Sequence, residues 1–232
     1  MDLIVEGLAR AFGLLVRGDP ELLRVTWLSL QVSGTATLLC LALGLPLGTL
    51  LALARFPGRG VVLALVNTGM GLPPVVVGLV VSIMLWRTGP FGGLRLLYTP
   101  AAMVIAQTVL ALPIVVGLTV AAIQQLHPKL RLQIAALGAS QAQLVWLLVR
   151  EARLPLLAAT MAGFGAVISE VGASIMVGGN IVGQTRVLTT ATILEVSKGE
   201  FATAMAFSVV LLLLVYAVNA TLTWLQQRGR PL

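Results

Sequence analysis

Five stretches of this chain are each long and apolar enough to cross a lipid bilayer, and no other feature narrows its possible folds so far. They run from Val25 to Ala54, Val61 to Trp86, Ala101 to Ile123, Leu154 to Val177 and Phe201 to Leu225. A spanning helix needs about 20 mostly apolar residues. Within the hydrocarbon core every backbone N–H and C=O must be paired inside the protein, which leaves helices and closed barrels as spanning structures. Apolar runs of this length predict helices. The expected fold class is therefore all-α and integral to the membrane, a polytopic bundle of about five transmembrane helices. Only 10% of the 232 residues are charged, whereas an average soluble domain carries about 25%.

Charge sets the orientation. The formal net charge is +7, but the basic residues are scattered between apolar runs and form no face for nucleic acid. Arg55, Arg59, Lys129, Arg131, Arg150, Arg153, Arg228 and Arg230 would share one side of the membrane with a single acid, Glu151. The other side would hold Arg87, Arg95, Arg186 and Lys198 with Glu195 and Glu200, joined by an N-terminal segment of mixed charge. Lys and Arg mark loops that remain cytoplasmic. The N-terminus is thus expected outside and the C-terminus in the cytoplasm, with the chain multi-pass in the cytoplasmic membrane. The start, Met1 to Arg17, lacks the basic n-region and cleavage site of a secretory signal, and residues 1–23 read as an amphipathic N-terminal segment. Leu3, Ile4, Leu8, Phe12, Leu15 and Val16 recur there at helical spacing with Glu6, Arg10 and Arg17 among them, as in an amphipathic interfacial helix. The lone Cys40 lies in an apolar run and reads as a small buried hydrophobe.

Two connections stand out. Gln124 to Arg153, on the cytoplasmic side, has helical character and divides at Gly138. Pro128 suits a first helical position, Gly138 suits a turn, and Ser140 with Gln143 has the spacing of a capping box. A helical hairpin is expected, either a docking element for a cytoplasmic partner or an ordinary surface hairpin. Trp146 reads as an interfacial anchor or a partner contact. The outer connection, Gly178 to Glu200, is polar and rich in Gly and Thr.

Here the chain resembles a known family. Ala135, Ala136, Leu137, Gly138, Ala139 and Ser140, with Leu154-Pro155 beyond them, resemble the Glu-Ala-Ala loop of type I ABC importer permeases. The naming Glu of that loop is Leu132 here, and Pro155 stands further beyond Gly138 than in the commonest form. Thr35 to Leu39, Leu43 to Gly48 and Gly71 to Leu79 resemble the first two core helices of these permeases. Ser169 to Ala173, continuing through Ile175 to Ile181 and Thr185 to Thr190, is similar to the molybdate, sulfate and tungstate group. Leu194-Glu195 and Gly199 to Phe201 look most like its tungstate branch. The resemblance implies a single transmembrane permease domain over residues 1–232, with 124–153 as the region that couples it to an ATPase through Ala135, Ala136, Gly138, Ala139 and Ser140. It implies a homodimer of permeases, cytoplasmic ATP-binding-cassette ATPase subunits and an extracytoplasmic oxyanion-binding protein. ATP and magnesium would be used by the ATPase, with no cofactor or metal in this chain.

The residues themselves suggest where cargo passes. Pro46, Pro73, Pro74 and Pro113 lie in or near spans, where helices bend if freed backbone groups are re-paired. Gly44 and Gly48 have the small-xxx-small spacing that permits close helix contact. Glu170 is the one acid well inside a span. It would repel an oxyanion, which favours a role in accepting backbone or hydroxyl hydrogen bonds. Gln107 and Asn219 read as groups that bond helix to helix. Glu170, Gly178, Gly179, Asn180, Thr185, Arg186 and Thr189 are the candidate pore and gate residues; in the Gly178 to Arg186 run, which also holds Gly183, backbone amides could make an anion nest and Arg186 could attract an anion. No Gly-Lys-Ser/Thr phosphate loop, His-Glu-x-x-His or Gly-x-Ser-x-Gly run occurs, so the chain is expected to be a transport subunit and no enzyme. The alternative is a secondary anion transporter or channel, which would need an ion-coupling site or selectivity ring in the membrane.

Overall fold

The computed structural model describes residues 2–228; Arg230, counted above for topology, lies outside them. Eleven α-helices make up the described chain. Three are continuous and long enough to span: α2 (Pro20–Leu53), α5 (Pro100–Gln124) and α11 (Phe201–Arg228). The expected second and fourth spans are broken. α3 (Arg59–Met70) and α4 (Pro74–Leu85) meet at 101°, and α8 (Arg153–Ile168) and α9 (Gly172–Gly178) at 55°. The first break has a steric cause. Pro disfavours helical geometry in the residue before it, so Pro73-Pro74 forces Leu72 and then Pro73 out of the helix. Pro73 is extended (φ −64°, ψ 125°), and Pro74 starts α4 where its missing N–H is no loss.

α2 holds the bundle together. Its start is fixed by Asp19, whose carboxylate accepts the Leu22 amide at 2.9 Å, with Pro20 at the first helical position. Its 34 residues give a length of about 51 Å, more than the hydrocarbon core alone requires. It packs most extensively on α5. A Cβ on Gly44 would stand 2.7 Å from Val115, and one on Gly48 would stand 2.6 Å from Thr119. The two glycines therefore set the approach of the helices. Cys40, Ala36, Val115 and Val167 fill the core beneath them.

α1 (Asp2–Arg17) packs against α11, with Gly7 against Met205 and Ala11 buried. It leaves Val5, Leu8, Phe12 and Val16 exposed. The outer connection differs from its expected form as a polar loop, because α10 (Leu188–Ser197) occupies half of it. Leu188 and Ala191 bury against Leu22, Val25 and Phe207. The Val187 amide bonds to Thr190 Oγ1 at 3.1 Å and starts that helix.

The elements define two ends. The hairpin end gathers the close of α2 and α5, then α6 (Pro128–Ala136), α7 (Gln141–Glu151) and the start of α8. Gln226 near the end of α11 joins it by donating to the Leu154 carbonyl at 3.3 Å. The loop end gathers the start of α2, residues 179–187 and the α4–α5 connection, where the Tyr98 amide bonds to the Val177 carbonyl at 2.8 Å.

Candidate functional site

The hairpin is built by local rules. His127 Nδ1 accepts the Lys129 amide at 3.2 Å ahead of α6. Gly138 closes the turn at φ +79°, a conformation that costs other residues, and the Ala139 amide reaches back to the Ile134 carbonyl at 3.4 Å. The capping box is complete: Gln143 N–H donates to Ser140 Oγ at 3.3 Å, and Ser140 N–H to Gln143 Oε1 at 2.8 Å. Ile134, Leu144 and Leu148 bury against Leu53, Leu126 and Leu130, which roots the hairpin on the ends of α2 and α5.

The outer face of the hairpin is apolar. Leu132, Ala135 and Ala136 share one side of α6 at i, i+3 and i+4 and are exposed, as is Leu137 at the tip, with 88% of its surface accessible. Ala139 is half-buried, while Gly138 and Ser140 are exposed. Trp146 is exposed under the Arg150 guanidinium, 5.2 Å from its ring centre. Sequence reasoning did not single out Leu132 and Leu137 as exposed apolar residues of this face, although their helical spacing from the alanines was the available signal.

At the loop end, Glu170 sits in the break between α8 and α9. Its Oε1 accepts the Ala173 amide at 2.9 Å, and its carbonyl accepts the Thr189 hydroxyl at 3.0 Å. The carboxylate thus supplies an acceptor for an amide that the start of a helix leaves unpaired. Gln107 Nε2 donates to Ser174 Oγ at 3.2 Å and ties α5 to α9. Asn219 instead bonds the Val215 carbonyl of its own helix at 3.1 Å, which corrects the expectation of a contact between helices.

Three amides of the candidate nest are taken up inside the loop. The amides of Gln184, Thr185 and Arg186 all point to the Ile181 carbonyl, at 3.1, 3.0 and 3.1 Å. Thr185 is fully buried; its hydroxyl donates to the Gly178 carbonyl at 2.5 Å and accepts the Ile181 amide at 2.9 Å. Amides that pair within the loop are not available to an anion. Gly179 and Asn180 both turn through positive φ, at +70° and +50°, and Asn180 Nδ2 donates to the Thr190 carbonyl at 3.2 Å. Gly178 packs on Met103 and Gly179 on the Tyr98 ring, where a Cβ would come within 2.8 and 2.9 Å.

Arg186 is no free charge at a mouth. Its Nη1 meets Glu21 Oε1 of α2 at 3.0 Å with only 10% of its side chain exposed. Arg24, one turn further along α2, donates through Nη2 to the Gly183 carbonyl. Two contacts therefore clasp the loop to the start of α2.

Residues 44–231 match the family described as "Binding-protein-dependent transport system inner membrane component". This chain belongs to that family. The permease is 45% identical over 204 residues to the "Probable anion ABC transporter permease protein" of Haloferax volcanii, covering 86% of this chain and 88% of that protein. It is 39% identical over 227 residues to the "Tungstate uptake system permease protein TupB" of Peptoclostridium acidaminophilum, covering 98% of this chain and 100% of that protein. A solved inward-facing structure of the MetNI methionine ABC transporter superposes with a TM-score of 0.75 at 24% identity, covering 90% of this chain and 96% of that chain. That likeness shows the shared fold. The protein is thus a multi-pass permease subunit of an ABC importer in the inner membrane.

Proposed function

We propose that this permease carries tungstate, or the closely similar molybdate, across the cytoplasmic membrane as one half of a homodimeric pore. The observation that carries the coupling part of this reading is the hairpin at residues 128–151. It is rooted on two spanning helices, capped at the start of each of its own helices, and presents Leu132, Leu137 and Trp146 to the outside. An isolated surface hairpin has no reason to expose such side chains together, whereas a partner's cleft buries them. The partner is a cytoplasmic ATPase that binds ATP and magnesium, because no phosphate loop occurs in this chain. Its closure would pull the hairpin and, through Leu53 and Leu126, the ends of α2 and α5. An oxyanion-binding protein delivers cargo to the loop end, which faces outward by the positive-inside rule. The relatives named for anion and tungstate transport support the choice of cargo.

The test is tungstate uptake by proteoliposomes holding the permease, its ATPase and its binding protein. Gly138→Glu should leave the permease in the membrane and abolish both uptake and cargo-stimulated ATP hydrolysis. Normal ATPase pull-down together with normal transport in that variant would reduce the segment to a surface hairpin.

A further inference from the structure

The loop end holds a cavity of about 510 Å³ between the start of α2 and residues 182–186. Glu21, Arg24, Trp27, Gln31, Gln184 and Arg186 line it. Water occupies about 30 Å³ per molecule in the liquid, so this space admits a small ion with much of its hydration shell. The charged lining groups are two guanidiniums and one carboxylate, which leaves the cavity net positive.

These charges are held unequally. Arg186 is anchored, with 10% of its side chain exposed, Nη1 on Glu21 and Nε enclosed without a hydrogen-bond partner. Glu21 is 54% exposed. Its carboxylate can be rehydrated once an anion takes its place on Arg186. Arg24 is exposed, and its guanidinium donates to a neutral carbonyl, that of Gly183, with no carboxylate paired to it among the described residues.

The geometry points to a binding site for a small dianionic oxyanion in this cavity, held between Arg24 and Arg186, with Glu21 as a resident counter-ion that the anion displaces. This rests on the reading of the permease as an oxyanion transporter whose loop end faces out. Guanidinium groups present paired N–H donors that match the oxygens of such an ion. Glu21 gives the site a second property. While it is paired, it keeps the positive potential low, and when the anion is bound it competes for Arg186. Binding therefore stays weak enough for release, which conduction requires.

The full-length permease in phosphatidylcholine nanodiscs is titrated with sodium tungstate at constant ionic strength. Trp27 fluorescence is the readout, verified by its loss in Trp27→Phe. Arg24→Gln should weaken binding about ten-fold, and Glu21→Gln should tighten it several-fold. If the clasp only holds the loop in place, Glu21→Gln would weaken binding or leave it unchanged, and that result overturns the proposal. So does a wild-type protein that shows no tungstate response but responds to added phosphatidylglycerol, which would make the cavity a lipid-headgroup site. Uptake by the wild-type complex separates the two readings. Uptake of tungstate with binding unaltered by either substitution sinks the cavity and leaves the oxyanion reading standing. A wild-type complex that moves no oxyanion sinks both.

Discussion

The Glu170 carboxylate accepts the amide hydrogen of Ala173 at 2.9 Å, across the break that turns α8 into α9 by 55°. One buried acid thus serves the opening turn of a helix inside the bundle. Its own carbonyl receives Thr189, so the same residue joins the break to the start of α10. A helix start left without such an acceptor in an apolar setting loses about 1 kcal/mol. Glu170→Ala should lower the thermal midpoint of the detergent-solubilised permease accordingly. Glu170→Gln keeps an acceptor oxygen and should lower it less. Equal losses in the two variants would show that the negative charge, not the acceptor, is what the site needs.

Gly48 and Gly34 lie on the same helix and should respond oppositely to alanine. A Cβ on Gly48 would fall 2.6 Å from Thr119 and 2.8 Å from the Val116 carbonyl, whereas nothing lies within 4 Å of one on Gly34. Crowding of a packed interface costs about 1–3 kcal/mol, and alanine is favoured over glycine in an unobstructed helix by about 1 kcal/mol. Thermal unfolding should place Gly48→Ala well below the parent and Gly34→Ala at or above it.

Leu137 is the most exposed large hydrophobic residue of the hairpin, at 88%. Because it touches little of its own chain, Leu137→Asp should leave folding and membrane insertion intact. It should reduce recovery of the ATPase with tagged permease by ten-fold or more. Undiminished recovery would remove the tip from the interface.

Thr185 tests how the outer loop is held. Its hydroxyl serves one donor and one acceptor contact in a fully buried place. Removing a buried partner leaves the others unsatisfied, at about 1–3 kcal/mol. Thr185→Val should therefore raise protease sensitivity between residues 179 and 187, and Thr185→Ser should restore resistance. Protection of Thr185→Val equal to the parent's would show that shape alone holds the loop.

A reporter fused after Arg230 should be active only as a cytoplasmic reporter, as the concentration of Lys and Arg on the hairpin side requires. Activity of a periplasmic reporter at that position would overturn the proposed orientation.

Much of this architecture was legible in the amino-acid sequence because its causes are local or one-dimensional. Apolar length marks the spans, since the bilayer sets a minimum run of residues. Pro128, Gly138 and the Ser140–Gln143 pair write the hairpin, since caps and turns are chosen by neighbours within four residues. What the tertiary structure decided involves partners distant along the chain. The pairing of Arg186 with Glu21 joins residues 165 apart, and that of Arg24 with Gly183 joins residues 159 apart. Neither contact has a spacing to read, so an arginine that looked free proved to be clasped. The loop's amides follow a related logic: composition shows that a Gly-rich loop owns amides, but only its folded path shows that the Ile181 carbonyl takes three of them. The bends in the second and fourth spans stand between these cases. Pro73-Pro74 announced one break, whereas Ser169-Glu170-Val171 becomes a break only because Glu170 and Thr189 meet in space to satisfy the backbone that the bend exposes.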